Sequence, residues 1–127
     1  MIQVPVSIGE LIDKLSILQV KKNKISDETK LLLVDKEFKY LNELSSEFFK
    51  NDEIFNLYNS LINTNSKLWD VEDELRVIEV TKNFDNNFID LARKVYFTND
   101  ERFSLKNKIN EITKSEIKEV KDYVKYQ

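Results

Sequence analysis

The sequence predicts an all-α fold: an antiparallel bundle of about four long helices, with a short C-terminal helix and a short N-terminal edge strand. Three observations predict it. One Gly and one Pro in 127 residues are too few for the many turns of a β-sandwich or barrel. Apolar residues recur at spacings of three and four over long stretches. Ser, Asp or Asn stands where each such stretch begins, at the N-cap position.

At the start Ile2, Val4 and Val6 alternate as in a half-buried strand, and Pro5 confines it to an edge. Ser7 and Glu10 have the S-x-x-E spacing of a capping box. Ile8, Leu11, Ile12, Leu15, Leu18 and Ile25 follow at helical spacing, which gives a first helix over about 8–25. Ser26-Asp27-Glu28 opens the second, with Leu31, Val34, Phe38, Leu41, Leu44 and Phe48 along one side. Asn51-Asp52-Glu53 starts the third, over about 53–82, which at 1.5 Å per residue spans about 45 Å. Asn83-Phe84-Asp85-Asn86 interrupts it, and Asp85 caps a fourth helix running to about Thr113. Thr113 and Glu116 would cap a short final helix carrying Ile117, Val120 and Val124. Short connections make successive helices antiparallel.

Length and composition narrow the function classes. A mass of 15.1 kDa fits one domain, residues 1–127, with a core of its own. A composition 41% hydrophobic and 34% charged argues against both disorder and a membrane span. Without Cys or His the chain has no disulfide, thiolate nucleophile, His-based triad or zinc site. Gly9 stands alone, so there is no Gly-rich phosphate loop. A net charge of −3 offers no basic excess for nucleic acid. The N-terminus lacks the positive and apolar regions of a signal peptide, so a cytoplasmic location is expected, with no membrane contact and no cofactor.

One seam breaks the apolar pattern. The third helix carries the stripe Tyr58, Leu61, Asn65, Leu68, Glu72, Leu75, with Trp69 and Arg76 beside it. The fourth carries Phe88, Ala92, Val95, Asn99, Arg102, Lys106, Ile109. Asn65, Glu72, Asn99 and Lys106 fall where apolar residues belong, and a charge there needs a partner because an isolated buried charge costs several kcal/mol. Antiparallel packing predicts that Glu72 or Asp73 pairs with Arg102 or Lys106. Two readings follow: a buried polar network that fixes helix register, or a small-ligand site in which Arg and Lys bind an anion. The chain has 17 Lys and only 3 Arg, and two of the three, Arg76 and Arg102, lie at or beside this seam. Glu10-x-x-Asp13 and Asp70-x-x-Asp73 are spaced like the carboxylates of all-α magnesium-dependent nucleotide pyrophosphohydrolases. The two pairs lie far apart in sequence, and no metal is assigned to them. The lysines at 114, 118, 121 and 125 read as a solvated face.

Ser7-Ile-Gly-Glu-Leu-Ile-Asp-Lys-Leu-Ser-Ile-Leu18, Leu68-Trp-Asp-Val-Glu-Asp-Glu-Leu-Arg76, Phe88 to Tyr96, Asn99-Asp-Glu-Arg102 through Lys106 and Asn110, and the ending Ser115 to Tyr126 resemble an uncharacterised bacterial family of short helical proteins, domain of unknown function family 6165. Asn65-x-x-Leu-Trp-x-x-Glu-Asp-x-x-Arg76 is similar to a signature of a second uncharacterised helical family. The resemblance places Asn65, Trp69, Glu72, Asp73, Arg76, Arg93, Asn99, Asp100, Arg102 and Lys106 in motifs. It also implies an accessory role near cell-surface sugar transfer, because family members tend to sit beside genes for that process.

Two functions are therefore expected in competition. One is a helical-bundle structural or interaction protein that self-associates as a homodimer or larger assembly, since long helices leave apolar flanks that one short bundle covers poorly. The other is a protein or enzyme binding a small anion, such as a phosphorylated sugar or nucleotide, at Asn65, Trp69, Glu72, Asp73, Arg76, Asn99, Asp100, Arg102 and Lys106.

Overall fold

Four long helices form in the computed structural model, which describes residues 1–127: α1 Ile8–Lys24, α2 Glu28–Ser45, α3 Asp52–Thr81 and α4 Asn86–Thr113. Each starts at the expected cap. Ser7 accepts from the Glu10 N–H, Asp27 from Lys30, Asn51 from Glu53 and Ile54, and Asp85 from Phe88. A side-chain oxygen thus satisfies a backbone donor that the helix leaves unpaired. Lys82 and Lys114 close α3 and α4 in the left-handed conformation, with φ of 55° and 52°, and return their N–H groups to the last turn. A 3-10 turn, Phe48–Lys50, fills the connection from α2 to α3.

The helices α3 and α4 form an antiparallel hairpin, α1 lies against both, and α2 packs on α1. The core is Ile12 and Leu15 of α1, Tyr58 and Leu61 of α3, and Ile109 of α4, closed by Phe38 and Leu41 of α2 and by Phe48 and Phe49. Each fully buried aliphatic side chain there stabilises by about 1.5–3 kcal/mol.

Two expected elements do not form. Residues 1–6 form no strand, and Ile2 and Val4 stay exposed. Alternation alone leaves a ladder unmade when no second strand exists. Residues 115–127 are not helical. Instead the segment turns back along α4: Glu119 reaches Lys106, Lys121 lies over the Phe103 ring, and Tyr126 packs on Tyr96 and Phe97. Val120 and Val124 of the expected apolar stripe stay exposed, and the segment is held by Glu119, Lys121 and Tyr126 instead.

The hairpin outruns the rest of the bundle. α1 ends level with Asp70, which binds Lys24 Nζ at 2.9 Å, while α3 continues to Thr81, about 16 Å further. From Trp69 to Phe97 only Leu91 is buried. The accessible surface is 8949 Å², against about 7,100 Å² for a compact monomer of this mass.

Candidate functional site

The site grows from one face of α1. Gly9, Asp13, Ser16 and Val20 recur at spacings of four, three and four, and all are buried. Gly9 lets the helix touch α4: a Cβ there would lie 2.4 Å from the Lys106 carbonyl oxygen and 2.9 Å from Asn110 Oδ1. This contact also serves the α1 N-terminus. The Gly9 N–H donates to Asn110 Oδ1 at 2.7 Å and the Ile8 N–H to Ser115 Oγ at 3.1 Å. Ser115 in turn donates to the Ile117 carbonyl at 2.7 Å, which fixes the start of the C-terminal segment. Asn110 Nδ2, buried beside this contact, has no hydrogen-bond acceptor.

One turn further along, the Asp13 carboxylate is fully buried and saturated. Arg102 grips it with Nε at 3.0 and 3.1 Å and Nη2 at 2.6 Å, a bidentate fork that Lys cannot supply. Asn65 donates one Nδ2 hydrogen to Asp13 at 3.0 Å and the other to Ser16 Oγ at 2.8 Å. Lys106 lies 2.7 Å from Glu10, 2.7 Å from Glu119 and 4.0 Å from Asp13. The Glu119 contact is an ion pair whose angles fall short of a hydrogen bond. Three carboxylates therefore face two cations. The hydrogen bond that Arg102 donates to Asp13 outweighs burial and holds the guanidinium above its usual pKa. Burial alone would lower the Lys106 ammonium, but its ion pairs with Glu10 and Glu119 and the charge of Asp13 together raise it.

This geometry corrects the expected pairing. The α1 carboxylates Asp13 and Glu10, with Glu119 of the C-terminal segment, take Arg102 and Lys106; Glu72 and Asp73 do not. The reason is that α1 lies against both α3 and α4 and inserts its own acids into the seam. The two carboxylate pairs also part company: Asp70 binds Lys24 and Asp73 lies near Arg76. No acidic group in the chain gathers as a metal site would.

Beside Arg102 a groove of about 310 Å³ opens between the three helices. Ile17 and Val20 line it from α1, Asn65, Leu68, Trp69 and Glu72 from α3, and Asn99 and Arg102 from α4. Five of the nine expected site residues thus share one groove. Lys106 lies a turn away in the ion cluster. Asp73 and Arg76 are exposed, paired only with each other at 3.9 Å, and Asp100 is half-buried outside the groove. A larger, shallower depression of about 490 Å³ lies between α1 and α2. Lys22 and Asp35 pair there with each other at 3.2 Å, the Lys22 bond holds Asp35 below the usual carboxylate pKa, and Glu28 is the one charged lining residue outside an ion pair.

The sequence matches the family of unknown function DUF6165 over residues 2–126. The chain belongs to that family. No curated protein and no solved structure matches it. In this DUF6165 member the polar seam is the place where three helices meet, because Asn65 of α3 and Arg102 of α4 both bond directly to Asp13 of α1. Sequence reasoning found Asn65 and Arg102 but missed Asp13 and Ser16 as their partners. The signal was present in the face of small and polar residues Gly9, Asp13 and Ser16, which falls beside the apolar stripe of α1.

Proposed function

We propose that this DUF6165 member is a helical-bundle interaction protein that self-associates through the free end of its α3–α4 hairpin. The observation that carries this reading is the uncovered apolar surface there. Val77, Val80, Phe84 and Ile89 are half or more exposed at the end of the hairpin, beyond the last turn of α1. Arg76, Lys82, Arg93 and Lys94 alternate on the same hairpin with Glu74, Glu79, Asp85 and Asp90. Mixed signs on one patch suit a two-fold contact with an identical copy. α2 adds a second apolar surface, with Leu32 and Leu33 exposed, for a larger assembly.

Light scattering at several concentrations tests the reading. A dimer or larger mass is expected, reverting to monomer in Val80→Glu with Ile89→Glu. A monomer mass throughout contradicts it. An accessory role in cell-surface sugar transfer extends the same reading, and rests on the family resemblance. It predicts that a sugar transferase co-purifies with the chain and is lost with the same hairpin variant. The competing function, an anion-binding protein or enzyme, needs free cations at the seam, whereas Arg102 and Lys106 are held by carboxylates of the chain itself.

A further inference from the structure

The groove between α1, α3 and α4 holds one unpaired charge. Glu72 lines it and takes part in none of the ion pairs of the chain, so its carboxylate is uncompensated. Arg102 also lines it, with Asp13 bonded to Nε and Nη2 and offsetting its charge, so that only Nη1 remains as an unbonded donor nitrogen. Asn65 spends both Nδ2 hydrogens on Asp13 and Ser16, which leaves its carbonyl oxygen as the group still able to bond. Asn99 makes no hydrogen bond within the chain and keeps a full amide. Trp69 adds an aromatic ring, whose face attracts cations. The neighbouring cluster deepens the bias, because its three carboxylates outnumber Arg102 and Lys106. Unspent acceptors and a negative net charge thus surround a space at the lower end of small-molecule site volumes.

We propose that this groove binds a small organic ammonium ion. The positive head lies between the Glu72 carboxylate and the Trp69 ring, and the amide oxygens of Asn65 and Asn99 accept from its N–H or O–H groups. Ile17 and Leu68 supply apolar contact for its methylene or methyl groups. An anion would meet Glu72 unpaired and the Arg102 charge already offset by Asp13.

The experiment uses the full chain and its one Trp, Trp69, as the fluorescent reporter. Choline, ethanolamine and putrescine chlorides are titrated at constant ionic strength beside sodium phosphate, sodium acetate and the neutral 3,3-dimethylbutanol. At least one of the ammonium ions is expected to give a saturable change in Trp69 emission and a higher Tm, and the anions and the neutral alcohol neither. Glu72→Gln should weaken that binding about tenfold, and Asn99→Asp, which adds a carboxylate to the groove, should strengthen it by a similar factor. Circular dichroism checks the fold of both variants. Should Glu72→Gln not fold, Asn99→Asp decides alone. The proposal fails if no ammonium ion saturates, if phosphate or the neutral alcohol binds as well, or if the folded variants bind like wild type.

Discussion

Asp13 and Arg102 meet across the contact of α1 with α4, the guanidinium donating to both carboxylate oxygens at 2.6–3.1 Å while the Asp13 side chain is fully shielded from solvent. A buried carboxylate tolerates that position only with its bonds filled. Here Asn65 fills the remaining site, so one carboxylate ties α1 to both arms of the α3–α4 hairpin. A slip of one residue in any of the three helices would strand it, which makes the cluster a register device.

Gly9→Ala separates two opposing effects. Helix propensity alone favours Ala by about 1 kcal/mol. Because the added Cβ would sit 2.4 Å from the Lys106 carbonyl oxygen, which is backbone, α1 must move off α4 and lose the Gly9–Asn110 bond. A net loss of about 3 kcal/mol is expected in denaturant unfolding. A stabilised variant would show that the helices do not approach so closely.

Alkaline pH should weaken the fold in a defined way. The Lys106 pKa is raised in the folded state, so its contribution is fully present below the unfolded lysine value, about 10.4, and is lost as pH rises through the higher folded value. Tyr58, pushed up by burial, acts in the same direction above about pH 10. A fall in Tm across this range is expected, shallower in Tyr58→Phe and shallower again with Lys106→Met added. Equal slopes in all three proteins would contradict the assignment.

The C-terminal segment should act as a strap on α1. Glu119 is about one-third exposed, so screening limits Glu119→Gln to a loss of about 1 kcal/mol. Removing residues 115–127 should cost more, because the Ile8 N–H loses Ser115 and the aromatic contacts of Tyr126 go with it. Hydrogen exchange at Ile8 and Gly9 checks this, with faster exchange expected in the truncated chain. Unchanged protection would count against the strap.

Much of this was legible in the sequence, for local reasons. Caps are short-range chemistry, and Ser7, Asp27, Asn51 and Asp85 mark the helix starts. The polar members of α3 and α4 were legible because Asn65, Glu72, Asn99 and Lys106 interrupt an apolar stripe and Arg102 is one of only three Arg. Their partners were not, since which helix supplies the counter-charge depends on packing. α3 and α4 alone suggest Glu72, whereas α1 lies against both and brings Asp13. The C-terminal segment misled for a related reason: the spacing of Ile117, Val120 and Val124 is helical, but the pairing of Glu119 with Lys106 and the seat of Tyr126 on Tyr96 are long-range contacts that periodicity does not register.

The central claim, that the seam is an internal tie between helices, is tested most directly by a double-mutant cycle of Asp13→Asn and Arg102→Met in denaturant unfolding. Each single change is expected to cost about 3–5 kcal/mol, because it leaves a buried group without its partner. The double variant should lose much less than the two combined, giving a coupling energy of about 3 kcal/mol. Single variants as stable as wild type, with a coupling near zero, would contradict the account.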